Sequence, residues 1–337
     1  MTTKHLYFAF MNEEQNRVDI LLSVYNGEKY LHEQLNSILN QTHTNWRIIA
    51  RDDGSTDDSV SIMNEFASQY PENFLIIRQP FGNVGYKNSY AILMQHANAD
   101  YIMFSDQDDY WLPDKTELML KEMKLRHKNN AMPALLCCDL SICDENLNLL
   151  VRSYYAHIGL NSGYGSQIIL LASQLHGCAF LFNKPLLDMC NKIIVAENGL
   201  KNFAVTGHDT FLSVISALGG NIYFYDNPLV KHLIHKENTI GYSAAYKKSW
   251  LLQLKIIVKY LFNNTGYRNM LYGKKISENI QIIEAYRKNI SAQLPEAFNL
   301  FLRISELNYF QRKMCNRTYP FVICNTAADR IVYFFCF

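Results

Sequence analysis

"VDILLSVYNGEKYLHEQLNSILNQT" (residues 18–42) is an apolar run that halts at Asn26-Gly27 and resumes as a helical stripe. A run of this kind, closed by Asn-Gly, suits a buried parallel strand. Beyond it, Leu31, Leu35, Ile38 and Leu39 share one face of a helix. The alternation then repeats. "WRIIARDDGSTDDS" (46–59) gives a short strand and an acidic turn, and "SVSIMNEFASQY" (59–70) gives a helix. Ser55 or Thr56 is expected to cap that helix, with Asp57 and Asp58 in its first turn. "FLIIRQ" (74–79) is a third strand, followed by the loop "PFGNVG" (80–85) and a helix around "NSYAILMQHAN" (88–98). "DYIMFSD" (100–106) is a fourth strand. Strands alternating with helices predict a parallel sheet with right-handed crossovers. The stretch from about 18 to 110 therefore reads as a doubly wound, nucleotide-binding half.

Ligands of such sheets bind beyond the carboxyl ends of the strands. Asn26-Gly27, Asp52-Asp53-Gly54 and the group Asp106, Asp108 and Asp109 in "FSDQDDYW" (104–111) all fall at those ends. Like charges this close repel, and each carboxylate needs a cation, a proton or a donor. Two aspartates separated by one residue can grip a hard divalent cation, which in turn grips diphosphate oxygens. Taken alone, an Asp-x-Asp pair is weak evidence, since Asp-rich turns usually face water. Its position beside two other polar strand ends gives it weight.

The chain has 337 residues, 49% of them hydrophobic and 13% aromatic, which describes a globular protein large enough for one large or two ordinary domains. The net charge of +1 hides an asymmetry: from Lys247 onward there are 14 Lys and Arg against 5 Asp and Glu, and before it 18 against 26. An acidic body thus carries a basic tail. A solvated basic face is one reading of that tail, and attraction to anionic lipid headgroups or an anionic acceptor is the sharper one. The eight cysteines show no paired metal-ligand spacing. With no secretory signal at the start, they fit free thiols in a reducing cytoplasm. No uninterrupted apolar run reaches about 18 residues, so no membrane-spanning helix is expected.

"VDILLSVYNGEKYLHEQLNSILNQT", "RDDGSTDDS", "GNVG" and "FSDQDDYW" together resemble the ordered signatures of the family 2 glycosyltransferases with the GT-A fold. The resemblance continues through "HGCAFLFNK" (176–184), "GHDTFLS" (207–213) and "HLIHKENTIG" (232–241), and so covers residues 18–241. Within the family, the "SDQDDYW" form with a later His-Asp looks most like bacterial rhamnosyltransferases. Those build surface polysaccharide or lipopolysaccharide O-antigen from dTDP-L-rhamnose.

The resemblance implies an α/β, GT-A type, doubly wound and mostly parallel sheet flanked by helices. It spans about residues 1–245, with a nucleotide-binding half at 18–110 and an acceptor half at 111–245. Residues 246–337 are expected to form a helical, basic C-terminal extension. Ser23, Val24 and Tyr25 would form a turn around the nucleotide base, and Asp53, backed by Asp52, would accept from the pyrimidine ring N–H. Asp106 and Asp108 would hold a Mg²⁺ or Mn²⁺ ion together with His235, Asp106 also meeting the donor's ribose or diphosphate, with Asp109 supporting the loop. Lys87 would reach the donor phosphates, a surface lysine being the commoner outcome, and Trp111 would pack beside the donor, with a plain core role or an acceptor platform as open alternatives. His176 and Gly177 would line the acceptor entrance. Asp209, opening the helical pattern "DTFLSVISAL" (209–218), would be the general base of an inverting transfer, with the helix dipole favouring its ionised form. Without the resemblance Asp209 reads as an N-cap. His208 would orient Asp209, contact the acceptor or simply pack.

The family's Tyr-Arg before the metal-side histidine is replaced here by His232-Leu233, which removes one expected phosphate-facing cation. The implied activity is that of a metal-dependent hexosyltransferase, taking a nucleotide-sugar donor, best dTDP-L-rhamnose, to a glycan or lipid-linked glycan acceptor. A UDP-hexose or UDP-N-acetylhexosamine donor fits the same chemistry. A nucleotidyltransferase would ordinarily show a Gly-rich basic loop where "SVYNGEKY" stands, and a non-catalytic sugar-binding module would have no use for Asp209. No nucleic-acid partner is expected. "YKKSWLLQLKIIVKYLF" (246–262) reads as an amphipathic basic helix that either lies on the inner face of the cell membrane or packs on the catalytic body.

Overall fold

The computed structural model describes residues 17–78, 82–158, 160, 175–197, 207–235, 279–290 and 293–294. The first half is the predicted alternation: β1 (Val18–Val24), α1 (Glu28–Leu39), β2 (Trp46–Asp52), α2 (Ser59–Gln69), β3 (Phe74–Ile76), α3 (Tyr86–His96) and β4 (Tyr101–Ser105). The chain continues through β5 (Tyr110–Trp111), α4 (Lys115–Arg126), β6 (Ala134–Cys143), β7 (Leu149–Val151) and α5 (Tyr154–Ile158). Then come β8 (Phe180–Asn183), α6 (Lys184–Ala196), α7 (His208–Gly219) and β9 (Asn221–Leu233). A last helix, α8, covers residues 279–290.

One mixed sheet runs in the order β3-β2-β1-β4-β8-β6-β9-β5, with β7 paired to β6. Its first four strands are parallel neighbours, as the βα alternation requires. Next, β8 turns against both β4 and β6, while β6 and β9 are parallel to each other and β5 runs against β9. β1 sits between β2 and β4, so the chain leaves it first to one side and later to the other. The register pairs Val24 with Asp52 and Leu22 with Ser105. The next residues along each strand, 25–27, 53–54 and 106–109, are therefore delivered to one edge of the sheet.

The apolar run of β1 is buried at every strand position except Ser23. Asp19 interrupts it without leaving a bare charge, because Arg47 clamps the carboxylate at 2.9 and 3.0 Å and the Asn98 and Ala99 amides donate to it. Leu31, Leu35 and Ile38 are fully buried, so the expected stripe is the packed face of α1. α2 begins where the sequence suggests but is capped differently. Its first residue is Ser59, and Asp57 Oδ1 accepts from the Ser59 amide at 3.0 Å while Oδ2 takes the Glu28 amide at 2.9 Å. Asp57 thus precedes the helix and serves two helix starts at once, whereas Ser55 and Thr56 bond Asn26.

In α8, Ile282, Ile283 and Tyr286 are buried in the same apolar core, and Lys288 and Asn289 reach Glu197 at the end of α6. This part of the expected C-terminal extension lies on the catalytic body. The basic stretch 246–262 and the terminus beyond 294 lie outside the described residues. No described helix is long and apolar enough to cross a membrane.

Candidate active site

The turn after β1 and the loop after β4 are joined through Gln107. The Tyr25 amide donates to Gln107 Oε1 at 2.7 Å, and Gln107 Nε2 donates to the Tyr25 carbonyl at 3.0 Å. A Cβ on Gly27 would stand 2.6 Å from Gln107 Oε1, so glycine leaves the room that this amide occupies. Asn26 adopts φ 48°, its side-chain oxygen accepting from the Thr56 amide at 2.8 Å. The three strand-end turns are thus in direct contact.

Their side chains divide into two groups. Val24 is fully enclosed and belongs to the core, and Ser23 ties its hydroxyl to Ser89 at 2.7 Å. Of that expected base-binding trio, Tyr25 alone offers an exposed side chain. Asp52 is consumed by its own turn, accepting from the Gly54 and Ser55 amides. Asp53 is buried against Arg51 at 2.5 Å and accepts the Val84 amide at 2.8 Å.

In the acidic loop each carboxylate has a different answer to the charge problem. Asp106 accepts from the Tyr90 hydroxyl at 2.9 Å; burial first, then the like charges of Asp109 and Asp108, push its carboxyl up to about 7. Asp108 meets His235 Nε2 at 2.8 Å, and the His235 ring stacks on Tyr30 with centroids 4.5 Å apart. Asp109 pairs with His232 Nδ1 at 2.7 Å. Burial acts to raise the Asp109 carboxyl, but the His232 imidazolium outweighs it and holds it below the usual range. Burial likewise acts to lower His232, and the Asp109 carboxylate instead lifts it to about 9. Below the pair, Lys115 is buried against Trp111 at 3.2 Å from the ring and donates to the Cys178 carbonyl, with its ammonium pulled down by burial to about 8.

Two side chains take the packed alternative. Trp111 has no exposed surface: its ring is stacked under the Lys115 ammonium and its amide donates to Ser37 Oγ at 3.1 Å, so it is a core residue and not a donor contact. His208 is a packed ring, stacked on Tyr90 at 3.8 Å and edge-on to Phe104 at 4.7 Å. Both of its nitrogens are enclosed without a hydrogen bond, and burial lowers it to about 3, so it is neutral and not an acceptor contact. Gly177 backs it, since a Cβ there would lie 2.5 Å from His208 Nε2. His176 sits 4.9 Å from the His232 ring with its Nε2 enclosed and, by burial first, is lowered to about 3. Gly177 and His208 are thus buried, while half-buried His176 packs beside the His232 ring.

Asp209 lies in the first turn of α7, its Oδ1 accepting from the Thr210 amide at 2.7 Å. Burial raises its carboxyl despite that amide and the nearby Lys87 charge, so the expected dominance of the helix dipole does not hold. Its neighbour His208 stacks on Tyr90, and Tyr90 reaches Asp106, which ties the start of α7 to the acidic loop by a continuous run of contacts. Lys87, in the first turn of α3, acts electrostatically on both His208 and Asp209.

One grouping of metal-ligating residues emerges among the described residues. Asp106, Asp109, Cys178 and His232 bring one ligand atom each within 4.8 Å of one another. In that set His232 is already bonded to Asp109, and burial with the flanking carboxylates keeps the Cys178 thiol protonated, so it reads as a braced support. Of the expected ligands, Asp108 and His235 are bonded to each other at 2.8 Å, and Asp106 is close enough to feel the charge of Asp108, but the three are not gathered within ligating distance of one another among the described residues. By donor type, the carboxylates and imidazoles of this loop suit a divalent cation such as Mn²⁺ or Mg²⁺.

Arg51, Tyr90, Gln107 and Lys115 were not singled out from the sequence, and His232 was read only as part of a lost cation. Arg51 left a signal: two positions before Asp53 on a strand, it shares that residue's face. Lys115 left none, since a lysine in a first helical turn ordinarily faces water.

Residues 19–186 match the family model "Glycosyl transferase family 2". The dTDP-rhamnosyl transferase RfbG of Shigella flexneri is 29% identical over 254 residues, 69% of this chain and 80% of that protein. The putative glycosyltransferase EpsE of Bacillus subtilis is 34% identical over 101 residues, 30% of this chain and 36% of that one. Among solved structures, S. aureus TarS 1-349 superposes with a TM-score of 0.50 at 14% identity, covering 94% of this chain and 91% of that one. A parallel half, an antiparallel crossover and an acidic loop at their junction make up a GT-A type fold. The chain belongs to glycosyl transferase family 2, whose members use nucleotide-sugar donors.

Proposed function

We propose that the protein is an inverting hexosyltransferase that moves L-rhamnose from dTDP-L-rhamnose to a glycan or lipid-linked glycan acceptor in bacterial surface polysaccharide or O-antigen synthesis. The observation that carries this reading is the meeting of three polar strand ends at one sheet edge, with Asp209 tied to it through His208 and Tyr90. The rhamnosyl donor is supported by the name and coverage of the Shigella flexneri relative.

In this mechanism Asp53 accepts the ring N–H of the base, and Tyr25 lies against it. Asp106, Asp108 and His235 would hold Mg²⁺ or Mn²⁺, and the ion would supply positive charge for the diphosphate leaving group. Lys87 adds a second positive charge on the α3 side. An Asp209 oxygen takes the proton of the acceptor hydroxyl, whose oxygen then forms the new bond at the anomeric carbon. The bond to the diphosphate breaks on the opposite face, inverting the centre. A carboxylate whose affinity for protons is raised by burial is a better proton acceptor than an ordinary aspartate.

Thermal stabilisation by nucleotide sugars, with and without Mg²⁺ or Mn²⁺, tests the donor, because binding only the folded state raises its stability by about 2.7 kcal/mol at a hundredfold excess over Kd. The expected result is the largest shift with dTDP-rhamnose plus metal. A shift with a UDP-hexose and none with dTDP-rhamnose would replace the rhamnosyl donor by that hexose.

A further inference from the structure

The surroundings of Asp53 use its two oxygens unequally. Both protein donors fall on Oδ1: Arg51 Nη1 at 2.5 Å and the Val84 amide at 2.8 Å. Oδ2 accepts no hydrogen bond among the described residues and is not one of their enclosed, unbonded polar atoms. Arg51 is fixed at a second point, its Nη2 donating to the Gly82 carbonyl at 2.8 Å, and it is 1% exposed. A planar guanidinium held at two points stays in place and keeps one carboxylate oxygen engaged, and because the two oxygens are equivalent a flip of the carboxylate still leaves a single oxygen open.

We infer that Arg51, with the Val84 amide, makes Asp53 a one-oxygen acceptor and is thereby the residue that selects uracil and thymine nucleotides over guanine nucleotides. Uracil and thymine present a single ring N–H between two carbonyls, and one acceptor oxygen satisfies it. Guanine presents a ring N–H and an exocyclic amine side by side, which a carboxylate holds best with both oxygens; here one is already saturated by two donors. Cytosine and adenine turn a bare ring nitrogen to the same edge, where it would face an anion. The inference rests on the proposed role of Asp53 at the base and goes beyond it, because it says which bases that carboxylate admits and which residue decides.

The same geometry fixes the outcome of Asp53→Asn. The two donors on the Oδ1 side demand an acceptor, so the asparagine must put its oxygen there and its amine in the place of Oδ2. An acceptor becomes a donor, uracil is rejected and cytosine is favoured.

Isothermal titration of the full chain with UDP, dTDP, GDP and CDP in the presence of Mg²⁺ tests this in the wild type, Arg51→Gln and Asp53→Asn. The wild type is expected to bind UDP and dTDP at least about tenfold more tightly than GDP, the scale of one charge-assisted hydrogen bond. Arg51→Gln should narrow that ratio, and Asp53→Asn should weaken UDP about tenfold while moving the preference toward CDP. Wild-type protein binding GDP as well as UDP would overturn the inference, as would a folded Arg51→Gln variant that keeps the full ratio. If Arg51→Gln does not fold by circular dichroism, Arg51→Lys, which keeps the charge but loses the fork, takes its place with the same reading. Unchanged UDP binding by Asp53→Asn would instead show that Asp53 does not meet the base, a failure of the underlying reading that is distinct from a failure of Arg51 alone.

Discussion

In the proposed mechanism Asp209 takes the acceptor's proton, and burial lifts its carboxyl above the ordinary range. A base works only when ionised, so the rate should fall as pH drops through that raised value. The acid limb of kcat against pH is expected above the ordinary aspartate value of about 3.9; a limb at that value would mean that the base sits in water. His232 sets a second residue-scale expectation. Its folded value of about 9 exceeds the unfolded 6.5, so the stability from its pair with Asp109 is complete below 6.5 and is lost as pH rises through about 9. The groups around it are Asp106, Asp108, Asp109 and His176. His232→Gln leaves a buried carboxylate unpaired and should cost about 3 kcal/mol at pH 6. In urea unfolding the deficit should shrink by pH 9.5, and a pH-independent deficit would count against the ion pair. At this scale the sequence showed which aspartates gather but not what each would bond. The replacement of Tyr-Arg by His232-Leu233 was legible as a lost cation; that His232 restores one inside the loop depends on the fold bringing β9 beside β5.

Between elements, the β1–α1 turn and the β4–β5 loop depend on one amide. Gly27→Ala would push a methyl into Gln107, which bonds both polar groups of the Tyr25 backbone. The expected result is a donor KM raised several-fold to tenfold with little change in kcat, because the acidic loop moves relative to the turn while Asp209 is untouched. Adding Gln107→Ala should relieve the clash without restoring the wild-type KM, which a double-mutant cycle reads directly. Equal KM values in wild type and Gly27→Ala would show that this contact does not govern the donor site. Asn26-Gly27 was readable as a turn because local chemistry writes turns. Its partner, 80 residues away, was not readable, because a Gln between two aspartates gives no sign that its side chain folds back. The cap of α2 differs from the expected one for a similar reason: Asp57 is shared with Glu28 of another helix, and local capping rules see one helix at a time.

Over the whole molecule, the parallel half was legible from repeated strand-and-helix alternation. The antiparallel β8 and the two-residue β5 were not, since short apolar runs carry no direction. α8 adds a further expectation. Ile282, Ile283 and Tyr286 are buried on the catalytic body, and burying such side chains contributes roughly 1.5–3 kcal/mol each, an upper range. A chain ending at residue 245 should therefore melt several degrees lower than the full chain; equal melting temperatures would make α8 dispensable to the fold. The central claim, that the converged strand ends hold a nucleotide sugar while Asp209 activates the acceptor, is tested most directly by one comparison. Nucleoside diphosphate release from dTDP-rhamnose and UDP-sugars is measured with a bacterial lipid-linked glycan extract as acceptor, for wild type and Asp209→Asn, with donor Kd determined in parallel. The account predicts release by the wild type and a loss of about 10²–10⁴-fold in Asp209→Asn at unchanged Kd. Wild-type turnover by Asp209→Asn would contradict it.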